Sequence, residues 1–212
     1  MEVFTDYIQP ATGVRFRIGF NEEEHLYTVN GLSVPCVSNI WTKVIKNDEP
    51  IPEFVKPYLK KGTYVHKMTE LYNAGKLDEK TIDEAAIGYF ESLLKFKVDH
   101  KHRSVAREIR AYDPDNKICG SVDDDALLGG IPYIIDWKTG GIYPDYKWKI
   151  AGYKTMLHNM SNNTQYKDHR IAAVQLFENG KAGKLIEYDY DEIKLGWDSL
   201  CYSYYIKIGA FN

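Results

Sequence analysis

The sequence lacks the features that mark several special classes of protein. It contains no run of about 18 uninterrupted apolar residues, so we expect no membrane-spanning helix and no membrane partner. The opening segment MEVFTDYIQPATG has neither the basic nor the apolar region of a secretory signal peptide. Three cysteines, Cys36, Cys119 and Cys201, lie far apart, which favours buried thiols over disulfides and over a cysteine-bound iron–sulfur cluster. These absences predict a cytoplasmic protein.

An excess of either charge is also lacking. The 27 Lys and Arg residues and 30 Asp and Glu residues give a net charge of -3. That balance neither predicts nor excludes nucleic-acid binding, because a polyanion needs only a local basic surface. With 212 residues, 44% of them apolar and 27% charged, the composition predicts one globular domain spanning residues 1–212.

Turn residues and hydrophobic spacing predict that the first half is mostly helical. Asn30-Gly31, flanked by apolar residues, predicts an N-terminal β-hairpin. Ser38 is a candidate cap for a helix through about residue 46, and the proline-bearing segment 48–62 predicts short helical pieces and turns. Helical spacing then covers residues 63–73 and 82–100, with Gly75 as a stop between the two helices.

Strand spacing takes over in the middle of the chain. REIRAY, KICGSVDDDALL and IPYIIDWKT predict three consecutive strands separated by the turns DPDN and Gly129-Gly130. A helix over residues 146–159, two strands around Asn179-Gly180 and a helix over residues 191–208 follow. This order predicts an α/β (α+β) domain with a mixed central β-sheet flanked by helices.

The segment IIDWKTG, residues 134–140, ends an apolar strand with an acid and a base. Side chains of a strand alternate between its faces, so Asp136 and Lys138 share one face while Trp137 points to the other. The same rule places Asp123 and Asp125 together on the preceding strand, with Asp125 interpreted as a bystander. If the three strands are neighbours, four side chains converge at one edge of the sheet: Glu108, Asp123, Asp136 and Lys138.

A cluster of three acids and one lysine predicts a chemistry. Crowded carboxylates raise one another's pKa unless a cation neutralises them, and hard oxygen ligands favour Mg²⁺ or Mn²⁺. A carboxylate-held metal ion beside a lysine is suited to phosphodiester hydrolysis, because both groups stabilise charge on the phosphate. Strand spacing alone leaves open a surface hairpin whose aspartates are simply solvated.

Several segments of the chain occur in an order that resembles a known family. They are HLYTVNGLSVPCVSNIW, KGTYVHKMTELYNAGKLDE, the strand with Glu108, GSVD followed by IIDWK, and YKWKIAGYKTML, and they extend to about residue 190. The set resembles the PD-(D/E)XK nuclease superfamily in its RecB-type branch of phage-encoded exonucleases. The resemblance implies a PD-(D/E)XK restriction-endonuclease-like core.

The resemblance also implies roles for individual residues. Asp123 and Asp136 are implied metal ligands, and Lys138 is the implied catalytic lysine. His66 would join the metal site or contact the adjacent phosphate. Glu108 would bind a second metal ion or orient water. The implied cofactor is Mg²⁺ or Mn²⁺.

One departure from the family pattern lies in the helix after IIDWK. The family has glutamine-x-x-x-tyrosine there, whereas this chain has Lys149 and Tyr153, which are four residues apart and share a helix face. With Lys147 they are the candidate DNA-binding residues. Aromatic residues beside this basic run and beside KPYLKKG and KVDHKHR are candidates for stacking on unpaired bases.

The expected function is a metal-dependent DNA exonuclease acting on single- or double-stranded ends. The resemblance implies a role in phage replication or recombination, in the host cytoplasm, beside a recombination or single-strand-binding partner. Two alternatives stay open: a structure-specific endonuclease using the same site, and a catalytically silent DNA-binding or interaction module.

Overall fold

A computed structural model describes residues 2–10, 12–46, 50 and 52–210. The first part of the chain forms an antiparallel sheet in the order β1-β2-β3-β4. Asn30 and Gly31, with φ angles of 51° and 83°, form the predicted hairpin turn between β3 and β4. The sequence did not predict the two strands before it. The four strands are β1 (Glu2–Ile8), β2 (Arg15–Asn21), β3 (Leu26–Val29) and β4 (Leu32–Val34).

The second sheet has the order β5-β6-β7-β8-β9 and is mixed. β7 and β8 pair in parallel across a helical crossover, and the other neighbours pair antiparallel. The predicted run of three strands, the two later strands and the mixed central sheet are therefore confirmed. The strands are β5 (His102–Asp113), β6 (Ile118–Leu128), β7 (Ile131–Lys138), β8 (Arg170–Gln175) and β9 (Lys184–Tyr188).

Five α-helices accompany the sheets in the described part of the chain. The helices predicted over residues 146–159 and 191–208 are confirmed as α4 and α5. Gly75, with a φ angle of 67°, follows the end of α2 as predicted. The helices are α1 (Val37–Trp41), α2 (Lys56–Asn73), α3 (Ile87–Asp99), α4 (Tyr146–Met160) and α5 (Tyr190–Lys207).

The predicted starts of the first helices were wrong. Cys36 rather than Ser38 caps α1, because its Sγ accepts from the Asn39 N–H at 3.4 Å while Asn39 Oδ1 accepts from the Cys36 N–H at 3.0 Å. α1 ends at Trp41, and a π-helical turn continues to Lys46. α2 begins at residue 56 and α3 at residue 87, after two 3₁₀ turns. Residues 48, 49 and 51 of the predicted helical pieces lie outside the described residues.

The five-stranded sheet separates two apolar cores. On one face, Ile134 packs with Met156 of α4 and Trp197 of α5, and residues of the first sheet join this core. On the other face, Trp137 packs with side chains of α2 and α3. The three cysteines are buried free thiols, as predicted. Within the described ranges, no helix is long and apolar enough to cross a membrane.

Candidate active site

The candidate site lies where β6 and β7 separate. The described ladder between them ends with the pair Asp124 and Ile135, and the next residues along the strands are Asp123 and Asp136. There the backbone N–H of Trp137 donates to the Asp123 side chain, at 2.9 Å from Oδ2. A carboxylate thus takes the place of a backbone partner, which fixes Asp123 beside the end of β7.

Asp136 is held by two donors. Tyr146, the first residue of α4, donates its hydroxyl to Asp136 Oδ2 at 2.7 Å, and the Lys138 ammonium contacts the same oxygen. Lys138 Nζ also lies 5.0 Å from the centre of the Tyr146 ring. Burial, followed by the charge of Asp136, raises the pKa of Tyr146, so its hydroxyl remains a donor. The predicted shared face of Asp136 and Lys138 is confirmed.

His66 reaches the site from α2. Its Nδ1 lies 3.2 Å from Asp123 Oδ2. Burial acts to raise the pKa of the Asp123 carboxyl, but His66, Lys138 and the Trp137 N–H outweigh burial and lower it. α2 passes close to the end of β7, since a Cβ atom on Gly62 would lie 3.4 Å from Thr139 Oγ1. The structure therefore brings His66 and Asp123 together.

Glu108 lies opposite Asp123 on β5. Its φ angle of 46° is left-handed, which is uncommon for a non-glycine residue and stores backbone strain. Burial raises the pKa of Glu108 to about 7, and the carboxylates of Asp123 and Glu70 add to this effect. An acid with this pKa in a strained backbone is typical of a functional position.

The alternation of side chains does not run unbroken along β6 to the three consecutive aspartates, although Asp124 and Asp125 pair with Ile135 and Ile134 of opposite cores. Regular alternation would put Val122 and Ala126 on one face, yet they belong to opposite cores. The alternation along β6 is interrupted between these two residues. The interruption lies opposite Glu108, whose backbone is left-handed, and it changes the direction of the Asp123 side chain. Asp125 does not join the site; its Oδ1 lies 3.2 Å from Nε2 of His169.

The donor set fits a divalent cation. Asp123, Asp136 and Glu108 supply hard oxygen ligands, and His66 supplies an imidazole. Burial, followed by the neighbouring carboxylates of Asp123 and Glu70, raises the pKa of Glu108, and a cation bound beside it would favour its ionised form. In the residues that the structure describes, no three Asp, Glu, His or Cys side chains are already arranged around one metal position. These four residues would therefore have to adjust around the ion.

The candidate DNA-binding residues lie on two sides of α4. Lys149 Nζ lies 5.4 Å from the ring centre of Tyr146 and 5.6 Å from that of Tyr153, beside the site. Tyr153 is buried and hydrogen-bonds to Ser38. Lys147 lies roughly 200° from Lys149 around the helix and contacts the Trp148 ring at 5.4 Å instead. Lys149 is therefore the member of this pair of lysines that contacts Tyr146, the tyrosine bonded to Asp136.

Sequence reasoning missed Tyr146. The signal was present, because residues 146, 149 and 153 follow helical spacing directly after the strand that carries Asp136. Lys138 Nζ and Lys149 Nζ lie 5.0 and 5.4 Å from the centre of its ring, and its hydroxyl donates to Asp136. Tyr146 thus contacts the acid and both lysines.

Comparisons with known proteins do not identify the chain. It matches no protein-family model, and it matches no curated protein. The resemblance to PD-(D/E)XK nucleases therefore stays a prediction, and the geometry of the site itself is the basis for a function.

Proposed function

We propose that the protein is a Mg²⁺- or Mn²⁺-dependent DNA exonuclease with the PD-(D/E)XK fold. One observation carries the proposal: His66, Asp123, Asp136 and Lys138 come from three elements and meet where β6 and β7 separate. Salt bridges add little stability and require no such convergence of buried strands. Two acids and two bases brought together at the end of a strand are suited to holding a cation and a phosphate together.

The depth of the side chains supports this division of roles. Their exposed fractions are 3% for Asp136, 14% for Asp123, 22% for Lys138 and 28% for His66. A phosphate arriving from solvent therefore meets the two bases before the two acids. Lys138 is placed to stabilise charge on the scissile phosphate, while the deeper carboxylates are placed to bind a cation.

Each residue has a task in hydrolysis. Asp123 and Asp136 would hold the metal ion, with Glu108 and His66 as accessory ligands. When bound, Mg²⁺ or Mn²⁺ supplies an acidified water and neutralises phosphate charge. Tyr146 keeps Asp136 in position through its hydroxyl.

Linear and covalently closed circular DNA test the proposal directly. We expect the purified protein to degrade end-labelled linear DNA with Mg²⁺ or Mn²⁺ and to leave the circles intact. Ca²⁺ should support binding without cleavage, since it holds looser oxygen geometry and acidifies its water less. Activity that persists in excess EDTA after metal removal would refute a metal-dependent nuclease. Cleavage of the circles would identify an endonuclease, and binding without turnover would identify a silent module.

Lys149 is expected to hold a phosphate next to the cleavage position. Lys149→Ala should raise KM about tenfold with little change in kcat, because a charged hydrogen bond to the substrate is lost. Lys149→Gln should keep substantial activity and show a weaker dependence of KM on salt, since the amide carries no charge. Steady-state kinetics across a salt series measures both effects.

Lys147→Ala is the matched control for Lys149. It removes an ammonium from the same helix that lies over the Trp148 ring, and that ring lies against Gly196 of α5. Its KM should stay within about twofold of wild type. The slope of log KM against log salt concentration should change by less than the loss of one phosphate contact would produce. If Lys149→Ala also matches wild type throughout, the lysine is a bystander.

A further inference from the structure

A series of rings and ammonium groups leads from the candidate site to the surface. The rings of Tyr146 and Trp41 lie 6.1 Å apart, edge to face. Lys46 Nζ lies 5.1 Å from the centre of the Trp41 ring and 5.0 Å from that of Tyr143. Tyr143 is 62% exposed. We name Trp41, Lys46, Tyr143 and Lys149 the aromatic–lysine strip.

The fold places this strip directly beside the candidate catalytic lysine. Tyr143 lies in the loop between β7 and α4, five residues after Lys138. Trp41 ends α1, and Lys46 ends the π-helical turn that follows it. Asp145, in the same loop, has Oδ2 3.7 Å from Lys46 Nζ and so links the loop to that turn. Substrate leaving the site along this side would meet the strip first.

The chemistry of the strip matches an unpaired strand of DNA. Tyr143 offers an exposed ring that can stack on a base, and Trp41 a partly buried one beside it. Every base offers a face when it is unpaired, whereas the bases of a duplex already stack on one another. Ammonium groups between the rings pair with phosphates, which attract them even though the protein as a whole is acidic. Tyr143 and Lys46 are too exposed for their contact to contribute much to folding.

We propose that the aromatic–lysine strip binds the bases and phosphates of single-stranded DNA. The strip thereby selects unpaired ends and aligns them with Asp136 and Lys138. Its part in cleavage rests on the proposed nuclease function, but its binding of a single strand does not. Binding is therefore measured without turnover.

Fluorescence anisotropy in EDTA, with a short labelled oligothymidylate and a blunt DNA hairpin as probes, tests the strip. Tyr143→Ala should weaken oligothymidylate binding about tenfold, because it removes one stacking ring. Tyr143→Phe, which keeps the ring, should stay within about twofold. Hairpin binding by both variants should stay within about twofold of wild type. Lys46→Ala should weaken oligothymidylate binding. It should also make the slope of log affinity against log salt concentration shallower, by the amount expected for the loss of about one phosphate contact.

Phe4→Ala is the matched control. Phe4 is 48% exposed and has the Arg17 guanidinium 4.4 Å from its ring centre, but it lies on edge strand β1. Its replacement should leave binding of the oligothymidylate within about twofold of wild type. Unchanged binding by Tyr143→Ala, or equal losses on oligothymidylate and hairpin, would overturn the proposal.

The two proposals fail in different ways. Loss of oligothymidylate binding in Tyr143→Ala, together with no cleavage of any DNA by the wild type, would support the strip and refute the nuclease. Metal-dependent cleavage by the wild type, together with full oligothymidylate binding by Tyr143→Ala, would support the nuclease and refute the strip.

Discussion

Asp136→Asn and Lys138→Ala are each expected to lower DNA cleavage by about a hundredfold to a thousandfold, with the fold intact. The asparagine keeps an oxygen that can accept from the Tyr146 hydroxyl, now 2.7 Å from Asp136, but it loses the charge that holds a cation. The alanine removes the ammonium that is placed to meet the phosphate. Initial rates on end-labelled DNA with Mg²⁺ measure the loss.

DNA binding by the same variants separates catalysis from folding. Contacts to phosphates elsewhere supply most nonspecific affinity, so binding with Ca²⁺ should stay within about tenfold of wild type. Two control variants, Asp125→Asn and Lys181→Ala, remove one charge each from groups outside the site. Asp125 pairs with His169, and Lys181 lies over the Phe177 ring at 4.0 Å. A folded Asp136→Asn or Lys138→Ala protein that keeps more than a few per cent of the wild-type rate would contradict the assigned roles.

The parts of the fold with clear periodicity were predictable from sequence. β5 to β9, α4 and α5 carry apolar residues at the spacing that their burial requires, and turn residues separate the strands. β1 was missed because its side chains are mostly exposed, so its sequence EVFTDYI carries no core-facing alternation. The cap of α1 was missed because cysteine is not among the usual capping residues.

The candidate site was predictable where the strand is regular. β7 pairs with β8 without a break through Lys138, so alternation placed Asp136 and Lys138 correctly. β5 and β6 are distorted at Glu108 and Asp123. The left-handed backbone there occurs at a glutamate, so the sequence contains no glycine that would have indicated it. A rule of strict alternation cannot locate such an interruption. The position of Asp123 depends on its contacts with His66 of α2 and the Trp137 N–H of β7, which local sequence does not encode.

Asp124→Ala is expected to lower the free energy of unfolding by about 3–5 kcal/mol. The Asp124 carboxylate is fully buried and accepts from three side chains: His102 Nε2 at 2.9 Å, Ser104 Oγ at 2.6 Å and Asn73 Nδ2 at 3.2 Å. Its removal would leave one buried donor, His102, and two partly buried donors, Ser104 and Asn73, without their acceptor, and His102 Nδ1 already has no partner in the described residues. Urea denaturation followed by circular dichroism measures the change.

Asp125→Ala on the same strand is the control. Its carboxylate has one described partner, His169, so its loss should lower the free energy of unfolding by about 1 kcal/mol. Asp124→Asn separates charge from size, because the amide fills the same space and keeps one acceptor. We expect it to recover about half of the loss seen with alanine. A loss below about 1 kcal/mol for Asp124→Ala would show that its three partners find other acceptors.

The stability effect of Asp124 also concerns the candidate site. The hydrogen bonds of Asp124 to Asn73, His102 and Ser104 join the elements that carry the site residues. Asn73 belongs to α2, which carries His66, and Ser104 belongs to β5, which carries Glu108. Asp124 itself follows Asp123 on β6. Burial lowers the pKa of Lys97, whose ammonium also contacts Asn73, and the Asp124 charge opposes that shift. Removing the carboxylate would therefore lower the pKa of Lys97 further and destabilise its charged form. It would also loosen the packing of α2 against the sheet, and both changes favour unfolding.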